Sequence, residues 1–350
     1  MRSGVGRKDC RTNKAFFCLM AAVLFALLLN CSGAQSPLDL HVIQGQTMGT
    51  TFSVKIVKDH PDAAYPQLET DINSMLVEVN RQMSTYIPDS EISQFNQSQD
   101  TTWFAISADF AGVLQTATDL SNTASGALDI TIGPLVNLWG FGPEKSAKVP
   151  SDAAIARARA LSGYQHLSVR NTPPAVKKAL PGVYCDLSAI AKGFGVDKVA
   201  SYLDGLGFKN YLVEIGGEVQ AAGNSAHGRP WRIGIETPNA TGDLQEIVAL
   251  SNMAMATSGD YRNYFEKDGV RYSHTIDPRT GKPITHKLAS VTVLHPKCVY
   301  ADGIATALNV MGPEIGYEFA VENELAVFMI IRSENGFREL KSPAAEKFFQ

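Results

Sequence analysis

Asp302 and Thr306 stand four residues apart in the apolar stretch Tyr300 to Met311, a spacing that puts both on one face of a helix, near its start. A carboxylate and a hydroxyl are hard oxygen donors suited to Mg²⁺, which takes few protein ligands and completes its shell with water and phosphate oxygens. Lys192 follows Asp186-Leu187-Ser188-Ala189-Ile190-Ala191, where a short apolar strand from Val183 gives way to a helical pattern that stops at Gly205-Leu206-Gly207. Ile190, Phe194, Val199, Leu203 and Leu206 form its apolar face. Asp186 and Ser188 are natural N-cap types. A lysine near a helix start, where free N–H groups and the macrodipole favour an anion, marks a seat for a phosphate or nucleotide. His274 lies at the end of a strand before the tight turn Asp277-Pro278-Arg279-Thr280-Gly281 and could serve as a general base near neutral pH. The polar turn Ala256 to Arg262 could meet an anion. Each feature also has an ordinary structural reading: a capped helix with an exposed lysine, an N-cap aspartate and a helical threonine, a structural histidine, a hairpin loop.

The elements that must position these residues alternate along the chain. Strand patterns begin at His41 and run through Val57, interrupted at Met48-Gly49-Thr50 as if by a bulge or a point of close approach. Amphipathic helices are predicted over Pro66 to Met83 and Ser107 to Thr123, a strand and turn over Ala127 to Pro134, and a small alanine-rich helix over 151–161. A hairpin-like stretch covers 164–184, Tyr211 to Ile215 and Val219 to Ala222 flank Gly216-Gly217-Glu218, and the region 231–301 is rich in alternation ahead of the Tyr300 helix. There is no fixed-period repeat and no linker. The pattern predicts an α+β fold with mixed, mainly antiparallel sheets and packed helices, built as a single elaborated domain over 41–350.

The 350 residues are 45% hydrophobic and 19% charged, ordinary globular composition. The start differs. Arg2, Arg7, Lys8, Arg11 and Lys14 precede an uncharged apolar run from Ala15 to Leu29, the pattern of an export signal over residues 1–30. Cys31 follows Leu28-Leu29-Asn30 like the acylated first residue of a bacterial lipoprotein, with 31–40 as a tether; simple cleavage is the alternative. Without residues 1–30, 26 basic groups face 34 acidic ones, a balance that does not favour nucleic acid. Cys185 and Cys298 then remain, too few for a zinc site and expected as buried free thiols. The sequence has no phosphate loop of the Gly-x-x-x-x-Gly-Lys-Ser/Thr type, no dinucleotide fingerprint after a strand and no nucleophile elbow.

A set of short motifs, in order across nearly the whole chain, resembles the ApbE family of flavin transferases. They are Met48-Gly49-Thr50, Ser84-Thr85-Tyr86, Gly126 to Thr131, Asp186 to Gly193, Glu214-Ile215-Gly216-Gly217-Glu218, Thr257-Ser258-Gly259, His274 to Pro278 with Thr280-Gly281, and Ala301-Asp302 through Thr306. The resemblance implies that FAD is split at its pyrophosphate. FMN is then joined to a threonine (or serine) hydroxyl of an acceptor protein, and AMP leaves. It implies Mg²⁺ held by Asp302, Thr306 and the backbone carbonyl of Ala189, and His274 as the proton acceptor with Asp277 as a rival. FAD would meet Met48, Tyr86, Ala127, Leu128, Asp129, Asp186, Lys192 and Ile276. Family acceptors are subunits of sodium-pumping quinone reductases and Rnf-type redox complexes, which suits a lipid anchor on Cys31 at the periplasmic side of the inner membrane. Asp129-Ile130-Thr131-Ile132-Gly133 does not complete the acceptor motif, so self-modification is not expected. A Mg²⁺-dependent FAD pyrophosphatase and an exported flavin-binding lipoprotein without turnover are the competing expectations.

Overall fold

The computed structural model describes Met1 and residues 38–58, 66–143, 149–239, 243–260 and 264–349. The expected export signal, Cys31, most of the tether and Arg262 lie outside the described residues. The chain from Leu38 onward is one compact unit. Its backbone is an eight-stranded sheet built from β1 (Leu40–Thr47), β2 (Thr50–Val57), β6 (Tyr211–Ile215), β7 (Glu218–Ala222), β10 (Met253–Gly259), β15 (Leu288–His295), β16 (Ala326–Ser333) and β17 (Gly336–Lys341), in that spatial order. Every named pairing in it is antiparallel; β1–β2, β6–β7 and β16–β17 are hairpins, whereas β2–β6, β7–β10 and β10–β15 join strands distant in the chain.

Alternation along the strands sorts the two faces. Phe52, Val54 and Ile56 of β2 and Val213 and Ile215 of β6 point to the helical side. There they meet α1 (Leu68–Met83) through Leu68, Ile72 and Leu76, and α6 (Ala191–Gly205) through Val196, Val199 and Leu203. Farther along, Val291, Val293, Val327 and Met329 pack on Ala301, Ala305 and Leu308 of α7 (Cys298–Met311) and on Ala320 of α8 (Pro313–Glu322). The opposite face, with Leu212, Val219, Met255 and Phe328, is covered by the ribbon of β8 (Trp231–Glu236) and β9 (Leu244–Leu250). A further core joins α2 (Glu91–Gln97) and α3 (Ala108–Thr123) to the segments 127–130 and 183–190 and to α7. Shorter pieces complete the chain: β3 (Phe104–Ala105), α4 (Gly133–Leu138), α5 (Asp152–Arg159), the β4 (Leu167–Asn171) and β5 (Pro174–Lys178) hairpin, and β11 to β14 between Tyr264 and Pro283. Cys185 and Cys298 are buried free thiols. Among the described residues no helix is long and apolar enough to cross a membrane.

The mixed, antiparallel, single-domain expectation holds; several local ones do not. Met48-Gly49 is not a bulge but a hairpin turn: both residues have positive φ, and Thr47 pairs with Thr50 across it, the geometry of a tight turn that matches strand twist. Ala127 to Pro134 forms no strand. It makes an isolated parallel bridge, Ile132 with Tyr184, and then turns into α4 at Gly133, with Pro134 inside its first turn. Asp186 and Ser188 do not cap α6, which begins at Ala191 after Ile190. Their side chains instead close a local turn, with the Ser188 N–H donating to Asp186 Oδ1 at 2.8 Å, a competing use of short polar side chains. Leu206, expected on the apolar face, is exposed because the helix ends at Gly205.

Candidate active site

One large cavity, about 1580 Å³, opens beside the sheet where α6, α7, the β6–β7 turn and the 127–132 and 84–87 loops converge. Every site residue singled out from the sequence lines it: Met48, Tyr86, Ala127, Leu128, Asp129, Asp186, Ala189, Lys192, His274, Ile276, Asp302 and Thr306. Asp277 is not among the lining residues. Its two carboxylate oxygens are committed to the Arg279 guanidinium at 2.9 and 3.0 Å.

The charged end is built by two helices pressed together. Gly193 makes this possible: a Cβ there would stand 2.5 Å from the Cys298 carbonyl oxygen and 2.8 Å from Asp302 Cβ. Its N–H, one of the orphan donors at the start of α6, donates to Asp302 Oδ2 at 2.9 Å. From the same helix Asp197 accepts the Cys298 and Val299 N–H groups at 2.8 and 2.9 Å, so α6 caps the start of α7. Lys192 Nζ then lies 3.6 Å from Asp302 Oδ1 and 3.2 Å from Glu218 Oε1. Asp302 and Glu218 are both almost fully buried. Burial pushes the Glu218 carboxyl up to about 8, Asp302 adding to the rise and Lys192 opposing it. Burial raises Asp302 as well, against Lys192 and the Gly193 N–H. For Lys192 burial works against the charge, but Asp302 and Glu218 outweigh it and hold the ammonium well above its ordinary range.

Thr306, one helical turn beyond Asp302, has its hydroxyl 3.2 Å from that of Ser258 in β10. The side-chain acceptors gathered here are oxygens, from carboxyls and hydroxyls; among the described residues no group of three or more His, Cys, Asp or Glu side chains forms a metal cluster. Such a set suits a hard cation that keeps several waters or phosphate oxygens, and does not suit zinc. The buried Glu218 Oε2, which has no hydrogen-bond partner, also fits a site that a cation and its water shell would complete.

The other wall is self-satisfied. Asp129 Oδ1 accepts from the Thr131 N–H and hydroxyl at 2.8 and 2.6 Å, and Oδ2 from the Tyr164 N–H at 3.0 Å. Burial still raises its carboxyl above the usual range against those bonds. The Asp186 N–H donates to the Ile130 carbonyl at 2.7 Å, tying the two acidic segments together. Tyr86 remains largely exposed at the rim, and partial burial, then the Asp186 charge, hold its phenol above the ordinary range.

His274 follows β12 (Val270–Ser273). The neighbouring backbone is pinned, with the Thr275 hydroxyl accepting from Asn309 Nδ2 at 3.2 Å and the Thr275 carbonyl accepting the Ile284 N–H at 3.0 Å. The imidazole meets Phe141 edge-on at 6.3 Å. Phe141 packs in turn on Phe265, and Phe265 stacks on Tyr272. Glu218 has no role assigned by residue type or spacing, although the motif Glu214-Ile215-Gly216-Gly217-Glu218 contains it. The available signal was Gly216-Gly217, both at positive φ, which closes β6 onto β7 and places an acidic residue first in a buried strand.

With this geometry in view, the similarities are specific. The ApbE family model matches residues 48–329. The FAD:protein FMN transferase of Vibrio cholerae serotype O1 is 47% identical over 328 residues, covering 93% of this chain and 98% of that protein. The FAD:protein FMN transferase of Haemophilus influenzae is 47% identical over 332 residues, covering 93% and 96%. The solved flavin transferase ApbE from Vibrio cholerae superposes with a TM-score of 0.83 at 46% identity, over 89% of this chain and all of that one. The apo flavinyl transferase ApbE of Pseudomonas stutzeri gives 0.83 at 40% identity, over 90% and 98%. Motif order, fold and near-complete coverage agree: the chain belongs to the ApbE family.

Proposed function

We propose that this protein is an FAD:protein FMN transferase that joins FMN to a threonine or serine hydroxyl of an acceptor protein, releasing AMP. The observation that carries the reading is the convergence of motifs from separate parts of the sequence on one cavity, with Lys192 and Asp302 at its charged end. Phosphoryl-type transfer asks for positioning and charge neutralisation more than for covalent help. Lys192 meets the pyrophosphate. Asp302, Thr306 and the Ala189 carbonyl hold Mg²⁺, which when bound neutralises charge on the phosphate oxygens. Met48, Tyr86, Ala127, Leu128, Asp129, Asp186 and Ile276 hold FAD, with Tyr86 offering a ring face at the rim. The acceptor hydroxyl oxygen bonds to the FMN phosphorus, the pyrophosphate P–O bond breaks towards AMP, and His274 takes the hydroxyl proton. The ion pair of Asp277 with Arg279 favours His274 over Asp277 as that base. Acceptors are subunits of sodium-pumping quinone reductases or Rnf-type complexes, and acylated Cys31 tethers the enzyme at the periplasmic side of the inner membrane.

The test mixes the protein with FAD, Mg²⁺ and an acceptor domain and follows intact mass. An FMN phosphoester on the acceptor, lost with EDTA, is the expected result. Release of AMP and FMN with an unmodified acceptor would establish a pyrophosphatase instead, and tight FAD binding with neither product a flavin carrier.

A further inference from the structure

The junction of α6 and α7 contains a conflict. Lys192 Nζ stands 3.6 Å from Asp302 Oδ1, and an ammonium so placed competes with any cation that the carboxylate is to hold. Glu218 lies on the other side of the same ammonium, with Oε1 closer at 3.2 Å. It is buried, it lines the cavity, and its Oε2 has no partner. Burying a carboxyl with a spare oxygen costs stability, so its retention here calls for a use. Its place is fixed by the backbone: the Gly216-Gly217 turn closes β6 onto β7 with Ile215 paired to Glu218. Gly216 also lets the turn pack on β2, since a Cβ there would stand 2.7 Å from Thr50 Cγ2.

We propose that Glu218 is a positioning residue that takes the Lys192 ammonium on Oε1 and so keeps Asp302 open to the divalent cation. The inference rests on the reading that Asp302 holds that cation. Without Glu218 the ammonium moves the short remaining distance onto Asp302, and a cation must displace it before binding. With Glu218 in place, one small volume accommodates a lysine for the phosphate and a carboxylate for the metal.

The test is a double-mutant cycle read by binding rather than turnover, with Mn²⁺ affinity followed by electron paramagnetic resonance on flavin-free protein. Glu218→Met is expected to weaken Mn²⁺ binding about tenfold, whereas in a Lys192→Met background the same change shifts affinity by less than about threefold. Lys192→Met alone does not weaken binding. Glu218→Gln, which keeps an acceptor oxygen, stays within about threefold of the parent, and it carries the test should the methionine variant fail to fold. Equal losses in both backgrounds would overturn the proposal, because Glu218 would then act on the cation directly. So would no loss in either, or a glutamine variant as weak as the methionine one. Asp302→Ala in the same assay separates the two levels: unchanged Mn²⁺ binding there would sink the cation reading itself.

Discussion

The two ends of the cavity solve opposite problems. At the α6–α7 junction, charged groups are buried beside one another and left incompletely satisfied, with Glu218 Oε2 unpartnered and two carboxyls flanking a single ammonium. At the Asp129–Asp186 wall, both Asp129 oxygens and Asp186 Oδ1 already accept from backbone N–H and hydroxyl donors. An end that is incomplete by itself gains free energy when a cation and a phosphate arrive; a wall that is complete presents a fixed shape and gains chiefly by contact. The contrast teaches that charge and shape are handled by different parts of this cavity: buried charge by two helices held in register, fixed shape by loops held by Asx-type turns.

This contrast has measurable consequences. The largest is expected from Asp302→Ala, which should lower FMN transfer at least about a hundredfold and weaken Mg²⁺ binding with it, checked by steady-state rates across a metal titration; a purely local effect on FAD affinity would break the distinction. Next, Gly193→Ala drives a methyl into the Cys298 carbonyl and Asp302 Cβ, where backbone cannot give way. It should cost about 1–3 kcal/mol in denaturant unfolding and reduce cation affinity, because the two helices part. By contrast Tyr86→Ala, at the exposed rim, should raise the KM for FAD about tenfold while leaving kcat and the melting temperature close to the parent. A melting loss like that of Gly193→Ala would show that the wall is not independent.

The smallest effect is a pH dependence. The folded protein holds the Glu218 proton up to about 8, whereas the ordinary value is 4.5. The stability from this group is therefore complete below the ordinary value and is lost as pH rises towards about 8. Thermal melts of metal-free protein should show a decline across that window that Glu218→Gln flattens. Asp129→Ala should leave the decline in place, which would sharpen the difference between the ends.

Much of this was legible in the sequence because it rests on local rules. The four-residue spacing of Asp302 and Thr306 is a helical property, and α7 does carry both to the cavity. Lys192 at a helix start followed from the small residues and the change of period around it, and it stands second in α6. The class of fold followed from hairpin-length strands separated by turn residues. The failures were also local, but they came from residues with two uses. Ser188 could cap a helix or close a turn on Asp186, and the turn won. Met48-Gly49 could bulge a strand or reverse it, and pairing of β1 with β2 decided for reversal.

Taken alone, the sequence determined the class of fold, most of the longer helices and strands, and which family's motifs it carries, since periodicity and motif order are properties of the chain itself. The tertiary structure alone decided that Glu218 stands against Lys192, that Asp277 is bound to Arg279 rather than facing the cavity, and that Asp197 of one helix caps the next. Those are contacts between segments far apart or between turn residues with several possible partners. Their distances are set by packing, above all by the close approach of α6 and α7 that Gly193 permits.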